Sequence, residues 1–132
     1  MPSARQPVYL SHPEGVAPPP GNVFSHAVIV GDTVYASGQN GIDATGMLVD
    51  GFEDQTAQAF ENLDVVLKAS GSGLEHVVKV QVLVAEPHDV RAYMKLREKY
   101  LPQRPASTLF AVKAFAMPGL LVELDATAVR VQ

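Results

Sequence analysis

The chain contains no cysteine, which excludes disulfides, thiolate nucleophiles and cysteine-ligated metals and leads us to expect a cytoplasmic location. Positive charge is also scarce. Ten Lys and Arg against 14 Asp and Glu give a formal charge of −4 and a pI near 5.4. That balance lacks the basic footprint that phosphate backbones and anionic membranes attract, so neither nucleic acid nor membrane is an expected partner. No apolar run approaches the length of a bilayer span, and the stretch from Met1 to Leu10 holds one arginine and no apolar leader core. Sharp chemical signatures are missing too: there is no Walker loop, no G-x-G-x-x-G after a strand, no H-E-x-x-H and no G-x-S-x-G elbow. The four histidines, His12, His26, His76 and His88, fall in different elements without metal-ligand spacing. No metal or cofactor is therefore expected, and each histidine reads as a solvated surface residue.

What is present fits one α+β domain over residues 1–132: the chain is 47% hydrophobic and long enough to bury a core without covalent staples. Near the start, Pro13, Pro18, Pro19 and Pro20 crowd together with Gly15 and Gly21, so this stretch can form neither helix nor ladder and should cross the surface. A short strand is expected before it at Val8-Tyr9-Leu10. Val28-Ile29-Val30 and Thr33-Val34-Tyr35 flank Gly31-Asp32, which predicts a tight hairpin because glycine accepts the positive φ of such turns. The second hairpin strand should end at Ser37-Gly38-Gln39, and Asp43-Ala44-Thr45-Gly46 reads as a turn.

From Asp50 the period changes from two to about 3.6. Phe52, Thr56, Ala59, Phe60, Leu63, Val66 and Leu67 share one stripe of a predicted helix, with Asp50 and Glu53 placed as a capping box and Gly71-Ser72-Gly73 as the stop. Val77 to Val84 reads as a strand with Val78, Val80, Val82 and Val84 on one face. Asp89 to Leu101 reads as a second amphipathic helix with Val90, Tyr93, Leu96 and Tyr100 inward. Two strands follow, Thr108 to Lys113 and Leu120 to Val131. In the last, Val122, Leu124, Ala126 and Ala128 alternate with Leu121, Glu123, Asp125 and Thr127. The expected order is β-β-β-α-β-α-β-β. Two helices cover only one face of such a sheet, so the other face should meet water or another subunit.

Candidate chemistry is thin on residue types alone. Ser37 has no histidine placed to act as its base, and a Ser-Gly at a strand end serves equally well as a turn. Glu123 stands out because a carboxylate in an otherwise apolar closing strand must be exposed, paired or functional. A solvated stripe shared with Asp125 would give the same alternation.

The ordered series Gly21-Asn22-Val23-Phe24-Ser25-His26-Ala27, Val34-Tyr35-Ala36-Ser37-Gly38-Gln39, Gln55-Thr56 with Asn62-Leu63 and Val66-Leu67, Val78-Lys79-Val80-Gln81-Val82, Arg104-Pro105-Ala106-Ser107-Thr108 and Pro118-Gly119-Leu120-Leu121-Val122-Glu123 resembles the RidA/YjgF family from about Val8 to Val129. The resemblance implies a chorismate-mutase-like α+β fold, a mixed sheet with two helices on one face, assembled as a homotrimer with small-molecule clefts between subunits. It further implies cofactor-independent hydrolysis of small enamines and imines to a 2-keto acid and ammonia. On this likeness Glu123 and Ser37 would be catalytic, the glutamate positioning the attacking water, and Phe24, Gly38, Met94, Ser107 and Leu109 would bind substrate.

Three positions depart from the family pattern. Ser107 stands where the deaminases carry a carboxylate-binding arginine, Phe24 where many have tyrosine, and Met94 where an asparagine is common. Each change makes the expected cleft less polar. Arg104, three residues before Ser107, would face the opposite side if the strand reached that far back, and Lys113 lies six residues on, roughly 20 Å along an extended strand. A cation from a neighbouring subunit is a further source. The expected activity is thus an atypical enamine or imine hydrolase, and the alternative is a small-molecule-binding or regulatory trimer that has lost the deaminase chemistry. A nucleic-acid-cleaving role fits the acidic charge less well.

Overall fold

The computed structural model describes residues 6–131. Its strands are β1 (Val8–Leu10), β2 (Ala27–Val30), β3 (Thr33–Asn40), β4 (Val77–Val84), β5 (Ala106–Ala111) and β6 (Val122–Val129), with α1 (Phe52–Ala69) between β3 and β4 and α2 (Val90–Tyr100) between β4 and β5. The six strands form one mixed sheet in the order β1-β2-β3-β6-β4-β5. Only β4 and β5 pair in parallel, while every other ladder is antiparallel. Each helix therefore connects two strands running the same way, and both crossovers step in one direction along the sheet. Crossovers of one hand stepping in one direction put both helices on the same face.

The local chemistry explains the elements. Gly31 turns the β2–β3 hairpin at φ 61°, as the Gly-Asp loop predicts. Helix α1 ends in a Schellman arrangement: Ser72 N–H bonds Leu67 O at 2.8 Å and Gly71 N–H bonds Lys68 O at 3.1 Å, with Gly71 at φ 82°. Its inner stripe, including Phe60, Leu63, Val66 and Leu67, packs with Val34, Val80, Val82, Leu124 and Ala126 in one continuous core. Phe60 stacks on Tyr100 at a centroid separation of 4.4 Å, tying α2 to α1. Among the described residues no helix is long and apolar enough to cross a membrane.

Several expectations need correction. The Asp50–Glu53 capping box does not form: Gly51, at φ 87°, is the N-cap and no side chain caps the helix, because the positive-φ glycine leaves Asp50 outside the first turn. In β4, Val78 is exposed and Val77 buried, since the pairing steps from Val77↔Ala128 to Lys79↔Thr127; that bulge inserts one residue and reverses the alternation before Lys79. Strand β3 does not stop at Gln39. It passes a second bulge, from Ala36↔Ala126 to Gln39↔Leu124, and runs on to Asn40. Strand β5 begins and ends two residues before the predicted bounds, starting as soon as Pro105 is passed. The proline-rich crossing is not merely superficial, for it buries Val16.

The face of the sheet opposite the helices carries Tyr35, 52% exposed, and Phe110, 45% exposed, beside the half-buried Gln81, Leu83, Glu123, Asp125 and Thr127.

Candidate functional site

The bulge in β3 builds the most distinctive chemistry of the molecule. The extra residue at Ser37-Gly38 brings Gly38 under the side chain of Glu123 on β6, so closely that a Cβ on Gly38 would lie 2.8 Å from the Glu123 carboxyl carbon. Only glycine leaves room for the carboxylate there. Burial pushes the Glu123 carboxyl above its ordinary range, the neighbouring Asp125 carboxylate adds to the rise, and a hydrogen bond with Asn40 opposes both. Asp125 is itself raised by burial, against the pull of Lys79, and accepts a 3.3 Å hydrogen bond from Gln81 Nε2.

Glu123 opens into a cavity of about 630 Å³ whose walls include Phe24, Gly38, Val16 and Pro18 from the proline-rich crossing, and Phe115, Met117 and Leu120 from the segment before β6. That volume suits a small metabolite. Its polar groups are few and mostly engaged. Asn62 Nδ2, on α1, donates to Asn40 O at 3.1 Å and Ile42 O at 2.7 Å, fixing the chain just past the bulge. Gln55 Nε2 donates to Gly119 O at 2.9 Å and its Oε1 accepts from Leu121 N–H at 2.8 Å, fastening the segment that carries Leu120.

His26 corrects the expectation of surface histidines: it is 8% exposed. Its Nε2 lies 2.7 Å from the Ala17 carbonyl, which can only accept, so Nε2 carries the proton. Nδ1 then accepts from Gln39 Nε2 at 3.0 Å, whose second proton goes to Ser37 O at 3.2 Å. With both ring nitrogens engaged, His26 has no lone pair left to act as a base. Among the described residues lining the cavity, only His26 and Glu123 have ionisable side chains. Sequence reasoning missed His26 and Gln39 because their partnership spans 13 residues, although both lie inside the quoted motifs.

The other predicted site residues fall elsewhere. Ser37 lies behind the wall, its Oγ donating to Ser25 O at 2.6 Å, so its proton is committed to holding the β3 bulge. Ser107 and Met94 line a separate hollow of about 140 Å³ with Val80, Arg97, Leu101, Arg104 and Pro105, which shares no lining residue with the large cavity. Leu109, opposite Val82, packs on the core instead. Arg104 is not turned away from Ser107 as strand parity suggested. The strand starts at Ala106 and Arg104 adopts φ 57°, so the alternation rule does not reach it. Among the described residues no cluster of three His, Asp or Glu side chains could hold a metal ion.

Comparison with known proteins gives a consistent picture. A family model described as Endoribonuclease L-PSP matches residues 14–130. A human protein named 2-iminobutanoate/2-iminopropanoate deaminase is 34% identical over 110 residues, covering 81% of this chain and 80% of that one. A RutC family protein of Aquifex aeolicus is 34% identical over 121 residues, covering 86% and 94% respectively. The solved structure of RidA from the Antarctic bacterium Psychrobacter superposes with a TM-score of 0.83 at 32% identity, covering 97% of this chain and 99% of that one.

Proposed function

Because the chain belongs to the endoribonuclease L-PSP family, which includes the RidA/YjgF proteins, we propose that it is a cofactor-independent hydrolase of a small enamine or imine metabolite, working as a homotrimer with its clefts between subunits. The observation that carries this reading is Glu123: the one carboxylate among the described residues of the cavity, raised above its ordinary range by burial and seated over Gly38. A half-buried carboxylate is a stronger base than one in water. It takes a proton from a water molecule as that water's oxygen bonds to the imine carbon. That proton passes to the nitrogen to give a carbinolamine, whose hydroxyl proton then also goes to the nitrogen as the carbon–nitrogen bond breaks, so that ammonia leaves and a carbonyl compound remains. The apolar walls, Phe24, Phe115 and Met117 among them, exclude competing water and suit a substrate with an apolar side chain.

The trimer is supported by the half-exposed Tyr35 and Phe110 on the sheet face that no helix covers. Light scattering should give three times the 14.1 kDa protomer mass; a monomer or stable dimer would sink the assembly. The activity is tested by ammonia release from imines generated in place by an amino-acid dehydratase or oxidase. Turnover that falls at least about a hundredfold in Glu123→Gln is expected for loss of a general base. Absence of release from any imine, or full turnover in the variant, would overturn the reading. The competing reading, a binding or regulatory trimer, is favoured by Ser107 in the place of the family's arginine, and predicts ligand binding without ammonia release.

A further inference from the structure

We propose that the side-chain oxygen of Gln39 is a fixed hydrogen-bond acceptor inside the large cavity, and that the ligand is an imine whose apolar body ends in an O–H or N–H donor that meets it. This rests on the hydrolase reading above only for the end of the ligand that reacts. Gln39 is 3% exposed and lines the cavity. Its Nε2 lies 3.0 Å from His26 Nδ1 and 3.2 Å from Ser37 O. Both are acceptors, because the Ala17 carbonyl holds the His26 proton on Nε2. Turning the amide over would set Oε1 against two lone pairs, so its nitrogen and oxygen have one arrangement. Both Nε2 protons are thereby engaged, and Oε1 is left with no hydrogen-bond partner among the described residues. The other buried amides differ: Gln55 Oε1 accepts from Leu121 N–H at 2.8 Å and Asn62 Oδ1 from Gln58 Nε2 at 2.9 Å. Nor is the Gln39 oxygen sealed in a dry core, for among the described residues the one sealed, partnerless side-chain atom is the Tyr93 hydroxyl. An oxygen that is neither bonded nor sealed, on a residue lining the cavity, opens to whatever enters it.

Register sets where along the ligand that donor falls. Gln39 lies opposite Leu124, and Asn40 opposite Glu123. Leu124 is buried in the core that the helices share, so Gln39 belongs to the helix-covered face and Glu123 to the open one. Both line one cavity, together with Asn62 of α1, so the cavity wraps the end of the β3–β6 ladder. An imine nitrogen is one bond from the carbon that the water on Glu123 attacks and stays on that side. The group that meets Gln39 is therefore at the far end of the molecule. Phe24, Phe115 and Leu120 give apolar walls for the body that joins the two ends, and about 630 Å³ is far more than the smallest imines fill. A neutral amide oxygen draws a donor and repels a carboxylate, so the distal group is a phenol, an alcohol or a ring N–H. Because the amide is held before the ligand arrives, none of the gain is lost to ordering it.

The test uses neutral ketones that mimic the hydrolysis product: 4-(4-hydroxyphenyl)-2-butanone, its methyl ether and 4-phenyl-2-butanone. Each is titrated by calorimetry into the full-length protein at a concentration where its assembly has been fixed by light scattering. The phenol should bind at least about fivefold more tightly than either analogue, since a ligand without the donor strands the Gln39 oxygen. In Gln39→Leu that preference should vanish while 4-phenyl-2-butanone binds as it does to the parent, a pattern that general loosening of the wall would not give. Gln39→Met, also without an acceptor, is the second variant if the leucine form does not fold, and the ranking of the ketones on the parent protein tests the proposal without either. Affinities equal within about twofold, less than one hydrogen bond is worth, a preference that survives in the variants, or no binding of any of these ketones would each overturn the proposal. A hydroxyl preference that depends on Gln39, without ammonia release from any imine, would remove the hydrolase reading alone. Imine turnover indifferent both to the distal hydroxyl and to Gln39 would remove the acceptor alone.

Discussion

Replacing Gln55 should loosen the cavity wall by a measurable amount. The side chain is 2% exposed and sits at the start of α1, where its amide group bridges Gly119 O and Leu121 N–H at 2.9 and 2.8 Å. Its stem lies so close to Gly41 that a Cβ there would come within 2.5 Å, so the amide has little freedom to find other partners. Gln55→Leu keeps most of the volume and deletes both bonds. Each is worth about 0.5–1.5 kcal/mol net, and the abandoned Leu121 N–H adds roughly 1 kcal/mol or more, so a loss of about 2–4 kcal/mol is expected. Urea unfolding at fixed protomer concentration measures it, provided the denaturant slope is unchanged. Because the bridged segment carries Leu120 of the cavity wall, KM for an imine substrate should rise as well. A Gln55→Leu protein within 0.5 kcal/mol of the parent would refute the claim that these two bonds hold the wall.

Tyr93→Phe should leave stability unchanged or raise it by about 1 kcal/mol, since the hydroxyl is buried without a hydrogen-bond partner. Burial pushes the Tyr93 phenol up to about 12. A folded value above the unfolded one makes its contribution fully present below pH 10 and lost as pH rises toward 12, so alkaline unfolding by circular dichroism should occur at higher pH in Tyr93→Phe than in the parent. Asp125→Asn should lower the acid limb of the kcat/KM profile, because it removes a like charge that helps to raise Glu123; burial, the larger cause, should keep the limb above the ordinary glutamate range, and an unmoved limb would detach the base from Glu123. Gly38→Ala should cut kcat/KM at least tenfold, as its Cβ would meet the Glu123 carboxyl at 2.8 Å. Unchanged turnover with the carboxylate in place in a crystal structure of the variant would count against that close approach.

Elements whose information is local were readable from the chain. The hairpin at Gly31-Asp32, a helix after the change of period at Asp50, its stop at Gly71 and the alternation of Val122, Leu124, Ala126 and Ala128 in β6 all stand, because each depends on neighbours a few residues apart. Glu123 was legible, together with Asp125, as a carboxylate out of place in that strand. The two bulges were not, since a single inserted residue at Val78 or Ser37-Gly38 leaves composition and propensity unchanged while shifting which residues face the core. The His26–Gln39 bond joins side chains that only strand pairing brings together. Arg104 was misread for a related reason: parity assumes an extended backbone, and a positive φ at this residue cancels the assumption.

The division of the site also bears on assembly. Ser107 pairs with Val80, which in turn pairs with Ala126, so Ser107 shares the helix-covered face with these buried residues. Glu123 alternates with the buried Val122 and Leu124 and belongs to the opposite face. The two are separated by two strand spacings across the sheet, roughly 10 Å, and by three residues along it, roughly 10 Å more. A small imine held beside Ser107 could not bring its reacting carbon within reach of a water on the same subunit's Glu123. If the hollow beside Ser107 holds part of the substrate, one chain carries two half-sites that cannot serve the same small molecule. Bringing the β5 end of one copy against the Glu123 cavity of another would join them, and the exposed Phe110 on the β5 edge is the apolar contact such an arrangement needs. Equal mixing of Glu123→Gln with Ser107→Trp, whose side chain fills the hollow, should then give more turnover after subunit exchange than either protein alone, whereas no gain in proven mixed trimers would place both halves on one chain after all.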